Sequence, residues 1–265
     1  MASTSETGHA INVANFEELI SYCIGYGGSY NPVKLALQIV AMQGLRTTAL
    51  GNLQTVNAAI VAIINSINAR QLAFEPIKPL ATRIVNALDA TNASDELVKD
   101  AKTLNRKIQG KRKGETKPPA TTPVPPVPPI PPIPPTGPTG PSPVPPTPEQ
   151  ISVSQQSYDS LLENFNKLIL LVASEPSYMP NEVALQVGTL NTLAANLAMQ
   201  NTTVINATTA LSNARIARNH TLYDTNTGLY DIQNEVKKYV KSVFGATSQE
   251  YKQVSKIKFT KPRKN

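Results

Sequence analysis

The sequence has no tryptophan, one cysteine and two histidines, and aromatic residues make up only 5% of its 265 residues. A single cysteine, Cys23, excludes an internal disulfide and a metal site built from several cysteines. It lies in an apolar helical pattern, which predicts a small buried hydrophobic side chain rather than a reactive thiol. His9 and His220 stand far apart in the sequence and form no known metal-binding motif.

The sequence also lacks the short motifs of common catalytic sites. It contains no Gly-x-Ser-x-Gly and no carboxylate pair marked out by its surroundings. The glycine cluster at 25–28 follows a helical pattern and lacks the Lys-Ser/Thr of a phosphate-binding loop, which favours a hinge between helices. We therefore predict a non-enzymatic protein with no catalytic residues, no cofactor and no bound metal.

Long apolar runs and a basic leader are missing as well. No run reaches the ~18 apolar residues of a membrane-spanning helix. The first residues have no basic region before their first apolar stretch, unlike a secretory signal peptide. The sequence thus predicts a soluble, cytoplasmic protein without a membrane span.

Proline, in contrast, is abundant and concentrated. Of the 23 prolines, 17 lie between Pro118 and Pro148. This density excludes a helix or a sheet ladder, because each proline removes an amide donor and fixes φ. We expect a polyproline II rod that rises about 3.1 Å per residue and acts as a stiff spacer. Its Pro-x-x-Pro pattern also fits a ligand of SH3 or WW domains.

The remaining sequence carries the periodic patterns of helices. One apolar face predicts a first helix over 13–24, and sevenfold spacing predicts one long helix over 33–75. Gly44 and Gly51 weaken that long helix by about 1 kcal/mol each, so a break near residue 51 stays open. Short helices are expected on either side of Ser94 and after Ser248.

The second half of the sequence repeats the first. Residues 29–39, SYNPVKLALQI, match residues 177–187, SYMPNEVALQV, at an offset of 148. The heptad seam keeps the same offset, pairing Met42, Ala49, Val56, Ile63 and Arg70 with Leu190, Leu197, Val204, Leu211 and Arg218. Retained phase over this length indicates an internal repeat with a long helix in each copy.

These patterns predict an all-α fold with two similar helical-bundle modules, each built on one long, coiled-coil-like helix and joined by a polyproline II linker. The predicted segments are a polar leader (1–12), module 1 (13–110), a basic then proline-rich linker (111–150), module 2 (151–255) and a basic tail (256–265). A compact hairpin, in which the two modules dock on each other, is the alternative arrangement.

The net charge of +7 is concentrated near the C-terminus, where residues 235–265 carry nine basic and two acidic side chains. Basic charge interleaved with aromatic residues is typical of polyanion binding. The candidate polyanion-binding residues are Lys252, Lys256, Lys258, Lys261, Arg263 and Lys264. A solvated basic tail that only aids solubility is the alternative.

Several stretches resemble a known family when they are taken together: TGHAINVANFEELI, GYGGSYNP, NARQLAFEPIKPLATRIVNALDAT, LNRKIQGKR and FGATSQEYKQVSKIKFTK. The resemblance is to a family of duplicated helical proteins of unknown function from bacteria of the Bacteroidetes type. It implies a bacterial, mostly helical protein and carries no activity, cofactor or catalytic residue.

The sequence therefore supports two hypotheses of function. The leading one is a structural or scaffolding protein that self-assembles or bridges protein partners through two similar modules. The alternative is binding of nucleic acid or another polyanion through the basic tail. The first is favoured by the internal repeat together with the absence of catalytic motifs.

Overall fold

The computed structural model describes residues 6–110 and 156–261, and over these residues the chain is all-helical, as predicted. Its α-helices there are α1 (Glu6–Gly25), α2 (Ile39–Phe74), α3 (Ile77–Asp89), α4 (Asp95–Gln109), α5 (Tyr158–Ala173), α6 (Val187–Tyr223), α7 (Leu229–Phe244) and α8 (Gln249–Lys256). Short 3₁₀ turns at Leu35–Leu37 and Val183–Leu185 precede the two long helices.

The long helices α2 and α6 run for 36 and 37 residues without a break. The alternative of a break near residue 51 is wrong. Ala49 and Val56, on either side of Gly51, are buried, and their packing offsets the weak helix propensity of the glycine.

Part of α2 packs against part of α6 along the predicted seam. Val56 forms a buried cluster with Leu211 and Ala214. Nearby, the Asn52 Nδ2 donates to the Thr221 Oγ1 over 2.7 Å. Residue numbers fall along α2 as they rise along α6, so the two helices are antiparallel in this contact.

Several helix ends follow from local capping. The hydroxyls of Ser94, Ser157 and Ser248 accept from the backbone N–H three residues later, at the starts of α4, α5 and α8. Gly110 ends α4 in the left-handed region, at φ 74°. A Cβ at this position would also lie 2.8 Å from the Gln156 side chain, so both conformation and space favour glycine.

The contacts divide the chain into two compact units that differ from the two predicted modules, 13–110 and 151–255. Unit 1 comprises Met1–Arg70 and Thr202–Asn265, and unit 2 comprises Gln71–Asn201. Each unit therefore combines residues from both halves of the sequence. The physical reason is that α2 starts in unit 1 and ends in unit 2, whereas α6 starts in unit 2 and ends in unit 1.

In both units the core combines helices from the first and the second half of the sequence. In unit 1, α1 from the first half packs on α7 and α8 from the second half. In unit 2, α5 from the second half packs on α3 and α4 from the first. The apolar faces that the sequence predicts are buried, but part of their cover comes from the opposite half; α3 also packs on α4, and α7 on α8, within the same half.

The predicted linker, 111–150, lies outside the described residues, but the residues that flank it are described. The Gln156 Nε2 donates to the Lys107 carbonyl oxygen over 3.0 Å. Both residues belong to unit 2. The described residues on the two sides of the linker thus contact each other within unit 2.

The predicted polar leader and basic tail also differ from expectation. Helix α1 starts at Glu6, and Asn12, placed in the leader by the sequence, is 1% exposed. In the predicted tail, Ile257 is buried and belongs to the same core cluster as α1. Both segments belong to unit 1. Asn12 forms hydrogen bonds with Thr260, and Ile257 packs in the core cluster that contains the apolar face of α1.

Candidate functional site

The repeated motif forms the same loop in each unit, and we name residues 29–38 loop 1 and residues 177–186 loop 2. In loop 1 the buried Tyr30 hydroxyl donates to the Leu37 carbonyl oxygen over 2.7 Å. In loop 2 the Tyr178 hydroxyl donates to the Leu185 carbonyl oxygen over 3.0 Å. These bonds join residues seven apart and fix the chain as it enters each long helix.

The backbone of the two loops agrees closely as well. Lys34 has φ −68° and ψ 114°, and Glu182, at the equivalent position, has φ −69° and ψ 113°. Each is followed by a 3₁₀ turn whose last residue, Leu37 or Leu185, is buried. The first residue of each turn consequently points away from the core.

Apolar side chains on these loops lie in solvent. In and after loop 1, Val33, Leu35 and Val40 are 95%, 73% and 81% exposed. In loop 2, Met179 and Val183 are 83% and 67% exposed. Apolar side chains grouped in this way are typical of interaction surfaces, because their hydration is unfavourable.

The charges beside the two loops have opposite signs. At loop 1 the Lys34 Nζ lies 2.5 Å from the Glu235 Oε2 of α7. At loop 2 the residue equivalent to Lys34 is Glu182, and Arg83 of α3 lines the same cavity as Glu182. In unit 1 the loop thus carries the cation and the helix carries the anion. In unit 2 the loop carries the anion and the helix carries the cation.

Two open cavities in unit 2 include Arg83 in their lining. One cavity, of about 520 Å³, lies between α3 and loop 2 and includes Arg83, Tyr178 and Glu182 in its lining. A second cavity, of about 350 Å³, is largely apolar, and its lining includes Leu80 and Leu193. Both cavities offer an apolar surface next to Arg83.

Burial sets the protonation state of the loop tyrosines. It raises the pKa of the Tyr30 hydroxyl well above its ordinary value and that of Tyr178 to about 12. Both hydroxyls are therefore protonated donors at neutral pH. Burial likewise raises the pKa of the nearby Cys23 thiol to about 12, which makes it a poor nucleophile.

We expect Tyr30→Phe and Tyr178→Phe each to lower the free energy of unfolding by about 1–3 kcal/mol, because a buried carbonyl loses its donor. Urea titration of each variant gives this value. The control is Tyr22→Phe, since the Tyr22 hydroxyl makes no hydrogen bond within residues 6–110 and 156–261. A loss at Tyr22 as large as at Tyr30 would contradict this role of the loop tyrosines.

The candidate polyanion-binding residues are partly described. Lys252 and Lys256 are exposed on α8, and Lys258 and Lys261 are exposed on the extended segment after it. All four belong to unit 1. Arg263 and Lys264 lie outside the described residues.

The extended segment 257–261 is held against α1 by a buried polar contact that the sequence did not reveal. The Asn12 Nδ2 donates to the Thr260 carbonyl oxygen over 2.7 Å, and the Thr260 N–H donates to the Asn12 Oδ1 over 2.9 Å. The Tyr223 hydroxyl lies 2.7 Å from the buried His9 Nδ1 and also accepts from Asn12. The side-chain amide of Asn12 thus has protein partners for both its nitrogen and its oxygen, and these hydrogen bonds anchor the segment to α1.

Lysine side chains of unit 1 also lie over aromatic rings. The Lys237 Nζ is 5.0 Å from the centre of the Phe259 ring, and the Lys261 Nζ is 5.4 Å from that of Tyr230. These cation–π contacts join α7 to the extended segment. Aromatic rings near Lys237 and Lys261 are thus occupied within unit 1.

The chain matches no protein-family model, no curated protein and no solved structure. One helical stretch, Ile39–Asp89, contains a window apolar and long enough to cross a membrane, with a mean hydropathy of 1.3 and 11% of the window buried. By length and composition alone this is weak evidence. The expectation of no membrane span stays a prediction.

Proposed function

We propose that the protein is a non-enzymatic structural or scaffolding protein that self-assembles or bridges protein partners through loop 1 and loop 2. The observation that supports it is the repetition of one loop conformation, with exposed apolar side chains, once in each compact unit. A chain with two similar docking surfaces can engage two partners at once.

We further propose that the two halves are copies of one four-helix repeat. Leu35–Leu37 and Val183–Leu185 are 148 residues apart, and so are the starts of α2 and α6. The buried faces of α1 and α5 also correspond, where Phe16, Leu19 and Ile20 pair with Phe165, Leu168 and Ile169 at an offset of 149. A duplication explains why both loops have the same conformation.

The helices that flank the loops support the same proposal. The buried residues Ile77, Leu80, Ile84 and Leu88 of α3 pair with Leu229, Ile232, Val236 and Val240 of α7 at an offset of 152. Helix α3 packs next to loop 2, and α7 packs next to loop 1. Each loop therefore has an equivalent helix beside it.

Light scattering and partner capture test this function. We expect the pure protein to gain mass with concentration, or a retained partner to be lost when Leu35 and Val183 are both replaced with aspartate. Both side chains are mostly exposed, so the variant should fold as the wild type does. A protein that stays monomeric and retains no partner through these residues would contradict the proposal.

A second candidate function is polyanion binding by unit 1, and the distribution of charge favours it. Residues 1–70 and 202–265 carry 14 basic and 7 acidic side chains, hence +7, whereas residues 71–201 carry 11 of each. The entire net charge of the chain thus belongs to unit 1. A concentrated positive charge attracts polyanions through release of counterions.

Replacement of Lys252, Lys256, Lys258 and Lys261 with glutamine tests this second function. We expect wild-type protein to bind heparin or duplex DNA at low salt, and the variant to bind about tenfold more weakly or less. All four side chains are exposed, so the variant should remain folded, with a small decrease in the unfolding midpoint from loss of the contact between Lys261 and the Tyr230 ring. Equal binding by both proteins, or no binding by either, would remove this candidate.

A further inference from the structure

The reversal of charge between the two loops indicates what covers them. Lys34 of loop 1 corresponds to Glu182 of loop 2 at the offset of 148, and Glu235 of α7 corresponds to Arg83 of α3 at the offset of 152. Each loop and its flanking helix therefore carry one cation and one anion, but the cation is on the loop in unit 1 and on the helix in unit 2. Two surfaces with this relation attract each other when loop 1 meets loop 2.

The shapes beside the loops are complementary too. Loop 1 presents Val33 and Leu35, which are the most exposed apolar side chains of that loop. Unit 2 presents the two cavities that include Arg83 in their lining, one of them largely apolar. An apolar projection and an apolar recess of this kind bury surface from water when they combine.

We propose that the occupant of each surface is a second copy of this chain, bound head to tail, with loop 1 of one copy seated against loop 2 and α3 of the next. Lys34 then faces Glu182 of the next copy, and Glu235 faces Arg83 of the next copy. This inference rests on the proposed function and deepens it by naming the partner.

The charges disfavour a symmetric pairing of like loops. If a twofold axis placed loop 1 on loop 1 and α7 on α7, Lys34 would approach a second Lys34 and Glu235 a second Glu235, in the part of the chain that carries the whole net charge of +7. Like charges across an interface cost several kcal/mol. A heterologous contact avoids this repulsion and leaves one free loop at each end of the assembly, so growth continues to rings or filaments.

Variants that block one surface each provide the main experiment. Leu35→Asp blocks loop 1, and Val183→Asp blocks loop 2; both positions are mostly exposed, so neither change should affect folding. In sedimentation velocity of the full chain, wild type should gain mass up to about 100 µM, whereas each variant alone should stay monomeric. An equimolar mixture of the two variants should form a 1:1 dimer and nothing larger, because each retains the surface that the other lacks.

A charge exchange tests the polar part of the contact. The double variant Lys34→Glu/Glu235→Lys keeps the ion pair within unit 1 but reverses its direction, so it should weaken assembly by about tenfold or more. Addition of Arg83→Glu and Glu182→Lys to the same chain should restore it. The matched control is Lys167→Glu/Glu163→Lys, an exposed pair on α5 that lines neither of the two cavities, and it should leave assembly unchanged.

The outcomes separate this inference from the proposed function. A wild-type protein that is monomeric throughout, but retains a partner through Leu35 and Val183, overturns head-to-tail assembly and leaves the proposed function standing. Assembly that neither single variant reduces, or a variant mixture that stays monomeric, also overturns it. A monomer that retains no partner overturns both.

Discussion

Deletion of residues 257–265 is expected to lower the free energy of unfolding of unit 1 by about 3 kcal/mol or more. Burial of Ile257 contributes about 1.5–3 kcal/mol. Loss of Thr260 also removes two hydrogen bonds of Asn12, which contribute about 0.5–1.5 kcal/mol each. Urea titration followed by circular dichroism measures this loss.

The matched control keeps the backbone and removes only charge. Lys258→Gln alters the same segment, but its side chain is exposed and the carbonyl oxygen of residue 258 still accepts from Asn15. We expect this variant to unfold at the wild-type urea concentration. If the deletion has no more effect than the control, segment 257–261 is a solvated tail after all. A deletion is accordingly a poor test of polyanion binding, because it changes fold and charge together.

Local features of the fold could be predicted from the sequence to the residue. The start of α4 follows from Ser94 and its end from Gly110, because caps and left-handed glycines act within one turn. The continuity of α2 followed from heptad phase retained past Gly51. These elements depend on neighbours along the chain, which the sequence displays directly.

The exchange of helices between the halves could not be predicted. The apolar face of α1, with Phe16 and Leu19, fits a core made of two further helices, but it does not specify from which copy they come. Equivalent helices in a repeated sequence bury equivalent faces, with Phe165 and Leu168 on α5. Patterns of burial alone are therefore the same for exchanged and unexchanged arrangements.

The candidate docking surfaces could be predicted only in part from the sequence. The repeated motif around Tyr30 and Tyr178 stands out in the sequence, and so does the opposite charge at Lys34 and Glu182. The exposure of Leu35 depends on the 3₁₀ turn, which turns Leu37 inward instead. The partner of Lys34 is a residue 201 positions away, beyond any local pattern.

Separation of the two halves is expected to abolish the native fold of each. Residues 1–110 alone would expose the faces of α1 and α3, since α1 packs on α7 and α8, and α3 packs on α5. Burial of apolar surface is the main favourable term in folding, so a half without its partners should lose cooperative structure.

The central claim, that each compact unit is built jointly from both halves, is tested most directly by measuring the halves 1–110 and 156–265 apart and together. We expect that neither half alone is a cooperatively folded monomer, and that an equimolar mixture recovers a 1:1 complex with the helix content of the full chain and a urea midpoint that rises with concentration. A half that folds alone as a monomer, with a cooperative transition near the midpoint of the full chain, would contradict the claim.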